Sequence, residues 1–444
     1  MDTKVLIKTV ERLLIFCASM IGYLKTSLLK ETTKDNGRIK INVFIRGLNL
    51  LGKFFLIGYL AKYFGSDTLG VYTVFLTLIT VSLYLIGFEF YTYSQRQISA
   101  SKFSELPTHL INQFIFHSLS YVFLLPLSIA IAYNFIPIKA LYFYVILLVL
   151  EHINQEIFRV LIALAYTTTA NINFFFRSSF WIFVFIPISF YFEKFRTLNF
   201  VYLNWIAGQL ICLLFSLYQF KNFDWSKLFH KIDKIWIGRG IQVSFVFFLS
   251  GMIQKILEYS ERFYVQKIAG EKMVGVYFFF YNVAYLPYIF FSTSIIVIFF
   301  SKIVASYKNN DNNTYISTKA IFHNATKTFT LFFYPLTIVL FLLLMRFYLV
   351  DSLYIEHSHI FWILLIASFV TIISELLYLE MYIRNLDKAI FYSYLITLPI
   401  SLSVNYLLIN NYGITGAVVA KLFTILILFL SRIILFRISN AKAQ

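Results

Sequence analysis

The chain has 444 residues, of which 59% are apolar and 13% charged, with 52 Phe and 32 Tyr, whereas a soluble domain carries about a quarter charged residues. No soluble fold of this length buries so much apolar surface, so lipid is its main solvent. The net charge of +17 does not signal nucleic acid, because Lys and Arg are spread over tails and short loops instead of one face.

The first 38 residues are expected to stay on the cytoplasmic side. Their apolar run from Leu13 to Leu24, bounded by Arg12 and Lys25, reaches only about 18 Å as a helix, against about 30 Å of hydrocarbon. It reads as an interfacial helix, and no small-x-small cleavage site follows to make it a signal peptide. Beyond it, apolar runs between polar breaks predict helices at 39–64, 70–94, 111–134, 138–164, 171–192, 199–220, 240–265, 274–300, 325–350, 359–383, 389–410 and 413–437. The expected fold class is all-α, a polytopic membrane protein with twelve transmembrane helices in two six-helix lobes. The lobes are 39–220 and 240–437, with a cytoplasmic linker at 221–239 and a cytoplasmic tail at 438–444. Pro126, Pro187, Pro287, Pro335 and Pro399 fall inside helices as candidate kinks.

Alternate breaks differ in charge. One set holds Arg96 and Lys102; Arg177; Lys221, Lys227, Lys231, Lys234 and Arg239; Lys302, Lys308 and Lys319; and Arg384 and Lys388. The other is shorter and poorer in cations, with Lys139, Lys194, Arg196, Lys267 and Lys272. By the positive-inside bias the first set and both termini are cytoplasmic. Asp224, Trp225 and the lysines around them are expected to rest on anionic lipid heads.

Two internal echoes suggest a repeat. Gly65-Ser66-Asp67-Thr68-Leu69-Gly70-Val71-Tyr72 and Gly270-Glu271-Lys272-Met273-Val274-Gly275-Val276-Tyr277 both read G-x4-G-V-Y, and Glu151 and Glu156 share the spacing of Glu375 and Glu380. Six helices per half would give both halves the same orientation, an architecture suited to alternating access about a central cavity.

Ionisable residues inside membrane helices are costly and normally face protein or water. Arg46, Asn49 and Lys53, with Asn42, form one stripe on the first helix; Lys255, Glu258 and Arg262, with Gly251, repeat the spacing on the seventh, flanked by Gln254 and Glu261. Across one cavity, these cations would hold a phosphate. Snorkelling of Arg46 and Arg262 and a local Lys255–Glu258 pair form the bland alternative. Glu151, Glu156, Glu375 and Glu380 are candidates for coupling transport to protons or sodium, although Glu156 with Arg159 also reads as a self-neutralising pair.

Cys17 and Cys212 provide neither a disulfide framework nor a Cys-based metal site, and His357-x-His359 has the wrong helical angle for joint ligation. No metal and no cofactor is expected. The sequence holds no G-x-x-x-x-G-K-[ST] loop and no G-x-S-x-G elbow, and the outer breaks are too short for a catalytic domain. A transporter is expected, not an enzyme.

The segment from Arg46 to Tyr72, with Asn49, Gly52, Ala61, Gly65 and Gly70, resembles the opening hairpin of Wzx-type O-antigen and capsule repeat-unit flippases of the multidrug/oligosaccharidyl-lipid/polysaccharide (MOP) exporter superfamily. Glu261-Arg262 followed by Gly270, Gly275 and Tyr277 looks like that family's acidic-plus-Arg pattern, with Glu where Asp is commoner. Asn411-Tyr412-Gly413-Ile414-Thr415-Gly416-Ala417 is similar to its last hairpin. The resemblance implies a twelve-helix, two-lobe fold and flipping of undecaprenyl pyrophosphate bearing a short oligosaccharide across the bacterial inner membrane, among membrane lipids and beside a polysaccharide polymerase and a chain-length regulator. Two rivals stand beside it. A multidrug exporter of the same superfamily would prefer an acidic, apolar cavity. A membrane glycosyl or acyl transferase would have only His152, Glu151 and Glu156 for acid–base work.

Overall fold

Lipid offers no partner for a free N–H or C=O, so every crossing must close its hydrogen bonds within itself. The computed structural model describes residues 36–101, 105–219, 232–346 and 352–441, and among them helices meet that demand with no strand. The 13–24 run, Cys17, Lys102, Lys221, Asp224, Trp225, Lys227 and Lys231 lie outside the described residues.

The first half runs α1 (Asn36–Tyr63), α2 (Gly65–Gly87), α3 (Tyr91–Ala100), α4 (Leu106–Tyr133), α5 (Ile138–Ala163), α6 (Thr167–Tyr191) and α7 (Leu198–Gln219). The second half runs α8 (Lys234–Ala269), α9 (Glu271–Ala284), α10 (Leu286–Lys308), α11 (Asn312–Arg346), a short α12 (Ser352–Glu356), α13 (His359–Ile383) and α14 (Asp387–Ala441). Among the described residues, 10 helices are long and apolar enough to cross a membrane. In that count α14 is taken as one, although Gly413, at φ 55° and ψ −132°, divides it. The 26-residue α5 is more polar, with Lys139, Glu151, His152, Glu156 and Arg159. Large apolar side chains such as Phe44, Phe123, Leu214 and Leu331 point outward, as a lipid-facing perimeter requires.

Several ends differ from the sequence expectation for a local reason. Gly65 (φ 80°) and Gly270 (φ 84°) each reverse the chain in one left-handed residue. The stretches after them are therefore first helical turns, and α2 and α9 start earlier than 70 and 274. The second helix of each half is also bent. Phe88 and Glu89, at φ 51° and 52°, separate α2 from α3, and Tyr285 separates α9 from α10. Pro287 lies in the first turn after that break, where its missing N–H leaves no bond unmade; it is not an interior kink. Pro126, Pro187, Pro335 and Pro399 are inside helices.

The two echoed glycine turns meet each other. A Cβ on Gly70 would overlap the Glu271 carbonyl, and a Cβ on Gly275 would overlap the Ser66 carbonyl. Each second glycine thus lets the first turn of the other half approach backbone to backbone. From there α2 and α9 pack side by side in one apolar cluster, with Leu69, Val74, Phe75 and Leu78 against Val274, Tyr277, Phe278 and Phe280. The next helix reinforces the seam: α8 lies along α2 and α3, with Phe90, Tyr93 and Phe116 around Trp236 and Ile237. At the ends of α8, Asn112 accepts from the Asp233 N–H at 2.9 Å, and Gln266 donates to the Phe135 carbonyl at 2.8 Å.

Adding methyl groups at this seam should separate the halves. Gly70→Ala or Gly275→Ala is expected to destabilise the protein by about 1–3 kcal/mol, the usual cost of overpacking, seen as a lower thermal midpoint in detergent. Gly58→Ala, where a Cβ meets nothing within 4 Å, should leave the midpoint unchanged. Equal midpoints for all three variants would contradict the backbone contact.

Candidate functional site

The α1 stripe is laid against α6. Arg46 donates from Nε to Asn171 Oδ1 at 3.2 Å. Asn49 is buried, accepting from Ser178 Oγ at 2.6 Å through its side chain and from Ser179 Oγ at 3.1 Å through its carbonyl. Gly52 admits the Phe183 ring. One turn on, Lys53 is exposed, with its amine 5.7 Å from the Phe174 ring centre and no ion pair among the described residues. It also lies in the electrostatic reach of Glu151 and Arg177, both of which are buried.

The charge pattern of the sequence puts Arg177 in a cytoplasmic break. The structure corrects this: it sits in a wide π-type turn, Phe176–Phe180, inside α6, with its guanidinium over Phe158 and Phe174. It pairs with Glu151 at 3.6 Å. Trp205 Nε1 and Gln209 Nε2 donate to the same carboxylate at 2.9 and 2.7 Å. Glu151 therefore joins α5, α6 and α7. Glu156 belongs to a separate network, with Arg159, Gln113, His117 and His152.

In the second half the α8 charges divide between a lobe-internal knot and the seam. Lys255 pairs with Glu258 at 2.6 Å, its amine also 5.1 Å from the Tyr84 ring centre on α2. Arg262 crosses the seam, donating to Thr77 Oγ1 at 2.9 Å beneath the rings of Tyr259, Phe278 and Tyr281. Glu261, 1% exposed, accepts from Tyr277 at 2.9 Å and pairs with Lys421 at 2.8 Å. Lys421 also donates to the Leu257 and Glu258 carbonyls at 3.3 and 2.9 Å. All three ammonium protons thus have acceptors, and α8, α9 and α14 are tied at one point. Among the described residues, no hydrogen bond or ion pair joins the α1 stripe to the α8 stripe.

The matched Glu pair on α13 divides as the α5 pair does. Glu380 accepts from Lys319 at 2.7 Å and from Arg384 at 2.8 Å. Glu375 makes no hydrogen bond or ion pair among the described residues; Arg432 acts on it from a distance, and its carboxylate in turn acts on Tyr288, Tyr378 and Tyr394. Arg432 donates to Ser374 Oγ at 2.8 Å and to Tyr394 at 2.9 Å. Lys421 and Arg432 share no stripe with the α1 and α8 cations, yet both lie in the long apolar run of the last helix, which is itself a signal of an internal role. At the opposite end of α13, His359 bonds Thr415 at 3.0 Å, a packing contact.

No family model matches the chain, and no curated protein does. Among solved structures it is similar to one described as the inward-facing conformation of a multidrug resistance MATE family transporter of the MOP superfamily. The two share 13% identity and a TM-score of 0.66, over 92% of this chain and 99% of that one. The fold is thus the all-α, MATE-like fold of a multi-pass membrane protein.

The Lys421 knot carries a clear expectation. Lys421→Met leaves Glu261 buried without its cation and should cost about 3–5 kcal/mol, whereas the Glu261→Gln, Lys421→Met double variant should recover much of the loss. Thermal unfolding in detergent measures both. A double variant no more stable than Lys421→Met would show that the pair is not the source.

Proposed function

We propose that the protein is a membrane transporter that flips an undecaprenyl-pyrophosphate-linked oligosaccharide, an O-antigen or capsule repeat unit, from the cytoplasmic to the periplasmic leaflet of a bacterial inner membrane, with both termini cytoplasmic. The reading rests chiefly on Lys53. It is an exposed residue whose amine lies 5.7 Å from the Phe174 ring centre, with no carboxylate paired to it among the described residues and Arg46 two turns before it on the same stripe. A pyrophosphate needs such cations, while a prenyl tail can stay in lipid between lobes. Lys255 exchanges its contact with Glu258 for the phosphate, and Asn49 and Arg262 set the helices that carry the site. The glycine seam closes the end of the bundle that the loop charges place outside, and alternating access opens it.

Ion coupling belongs in this proposal to the carboxylates at Glu151, Glu156, Glu375 and Glu380. Glu375 is the foremost of them because it makes no hydrogen bond or ion pair among the described residues. The same observation favours a second reading, ion-coupled export of organic cations, since a free carboxylate among tyrosine rings suits a cationic ligand.

Surface polysaccharide separates the two readings. Lys53→Gln with Lys255→Gln should abolish it and leave lipid-linked precursor in the cytoplasmic leaflet, while Lys53→Arg should retain more activity, with geometry altered by the planar fork. Normal polysaccharide in a well-expressed double variant contradicts the flippase. Loss of organic-cation efflux in Glu375→Gln, with polysaccharide unaffected by any of these changes, supports the exporter.

A further inference from the structure

The network around Glu156 has a property that neither ion pairing nor transport explains. Gln113, His117 and Tyr121 repeat every fourth residue on α4, and His152 and Glu156 do so on α5, so two helical stripes face each other. Between them lie His117 Nε2, His152 Nε2 and the Glu156 carboxylate, with ligand atoms all within 4.8 Å of one another. Both histidines are buried, at 7% and 1% exposed, and among the described residues neither Nε2 has a hydrogen-bond partner. The separations are 3.5 Å from His117 Nε2 to Glu156 Oε2 and 3.7 Å from His152 Nε2 to Oε1. Those distances are long for hydrogen bonds. The shorter matches, and the longer slightly exceeds, the spacing of two ligands on one ion, because metal–ligand bonds of about 2.0–2.1 Å place tetrahedral ligands about 3.3–3.5 Å apart.

We infer that His117, His152 and Glu156 form a binding site for one divalent transition-metal ion, bridging α4 and α5. Two imidazoles and a carboxylate are the donor set that such ions take. The surroundings hold two of the three ligating groups, His152 and Glu156, while His117 Nδ1 has no hydrogen-bond partner among the described residues. Tyr121 Oη lies 2.8 Å from His152 Nδ1; accepting the Nδ1 proton fixes the tautomer that leaves Nε2 free to bind. Arg159 holds Glu156 Oε1 and rests on the Tyr91 ring, orienting the carboxylate. Gln113 Nε2 donates to Oε2 at 2.7 Å, while its own Oε1 is buried without a partner. Rotation of that amide, or a water, completes four-coordination. A Cβ on Gly87 would stand 3.6 Å from His152 Nε2, which places the site directly against the left-handed break that ends α2. An ion there pins α4 and α5 beneath the bend.

The site stands independently of the cargo, and its test reads metal, not transport. Full-length, tag-free protein purified in detergent without chelator is titrated with Co2+ and Zn2+. Expected are one Co2+ per chain with the intense visible bands of a four-coordinate N/O site, displaced by Zn2+, and a thermal midpoint raised by Zn2+ but not by Mg2+. His117→Gln with His152→Gln should abolish the bands; Tyr121→Phe should weaken affinity about ten- to a hundredfold; His323→Gln, on α11, should change nothing. The stability readout uses the unaltered chain, so misfolding of the double variant does not hide the answer. Absence of stoichiometric Co2+ uptake by the unaltered chain, or uptake undiminished in the double variant, overturns the inference.

Discussion

The close backbone approach of the two glycine turns is the constraint on which the rest of the molecule depends. With Gly70 against the Glu271 carbonyl and Gly275 against the Ser66 carbonyl, the first turns of α2 and α9 interlock reciprocally, as equivalent parts of two related halves would. That register brings α8 alongside α2. Only then can Arg262 reach Thr77, and Lys255 lie over the ring of Tyr84. The seam is built from small residues and backbone, the means by which helices approach in lipid where apolar burial between them gains little.

Charges inside the bundle differ in how they are partnered. Some are neutralised by partners on other helices and tie those helices together: Glu151 with Arg177, Trp205 and Gln209, and Glu261 with Lys421 and Tyr277. Breaking such a pair strands a charge in a low-dielectric site, so these networks rigidify the lobes they cross. Lys53 and Glu375 are different, one an exposed cation in the first lobe, the other an unpaired carboxylate in the second. On the proposed reading, rigid lobes carry those two open charges toward opposite sides of the membrane in turn.

Much of this fold is legible in the sequence because lipid imposes a simple code of long apolar runs and polar breaks. The G-x4-G-V-Y echo marks the seam, although its physical reason, the missing Cβ atoms, emerges only when the halves meet. Side-chain partners are less legible. Arg177 looks like a loop charge until α6 widens around it; Asn49 shares a stripe with Lys53 yet packs against Ser178 and Ser179. Lys421 and Arg432 lie in the last helix, far in sequence from the carbonyls and hydroxyls they bind. One-helix periodicity reports which residues share a face but not which neighbour that face meets, and it cannot foresee that Glu151 and Glu156, five positions apart, serve different networks.

On the proposed reading the two halves move about the glycine seam, and the rim taken as outer opens and closes during transport. Asp67 and Lys272, exposed beside the two turns, are suited to spin labels after Asp67→Cys and Lys272→Cys substitution, and pulsed dipolar spectroscopy in nanodiscs then reads their separation. The account predicts a short, narrow distance without cargo and a second, longer population when lipid-linked oligosaccharide is supplied. One unchanged distance under every condition, in protein that still transports, would contradict it.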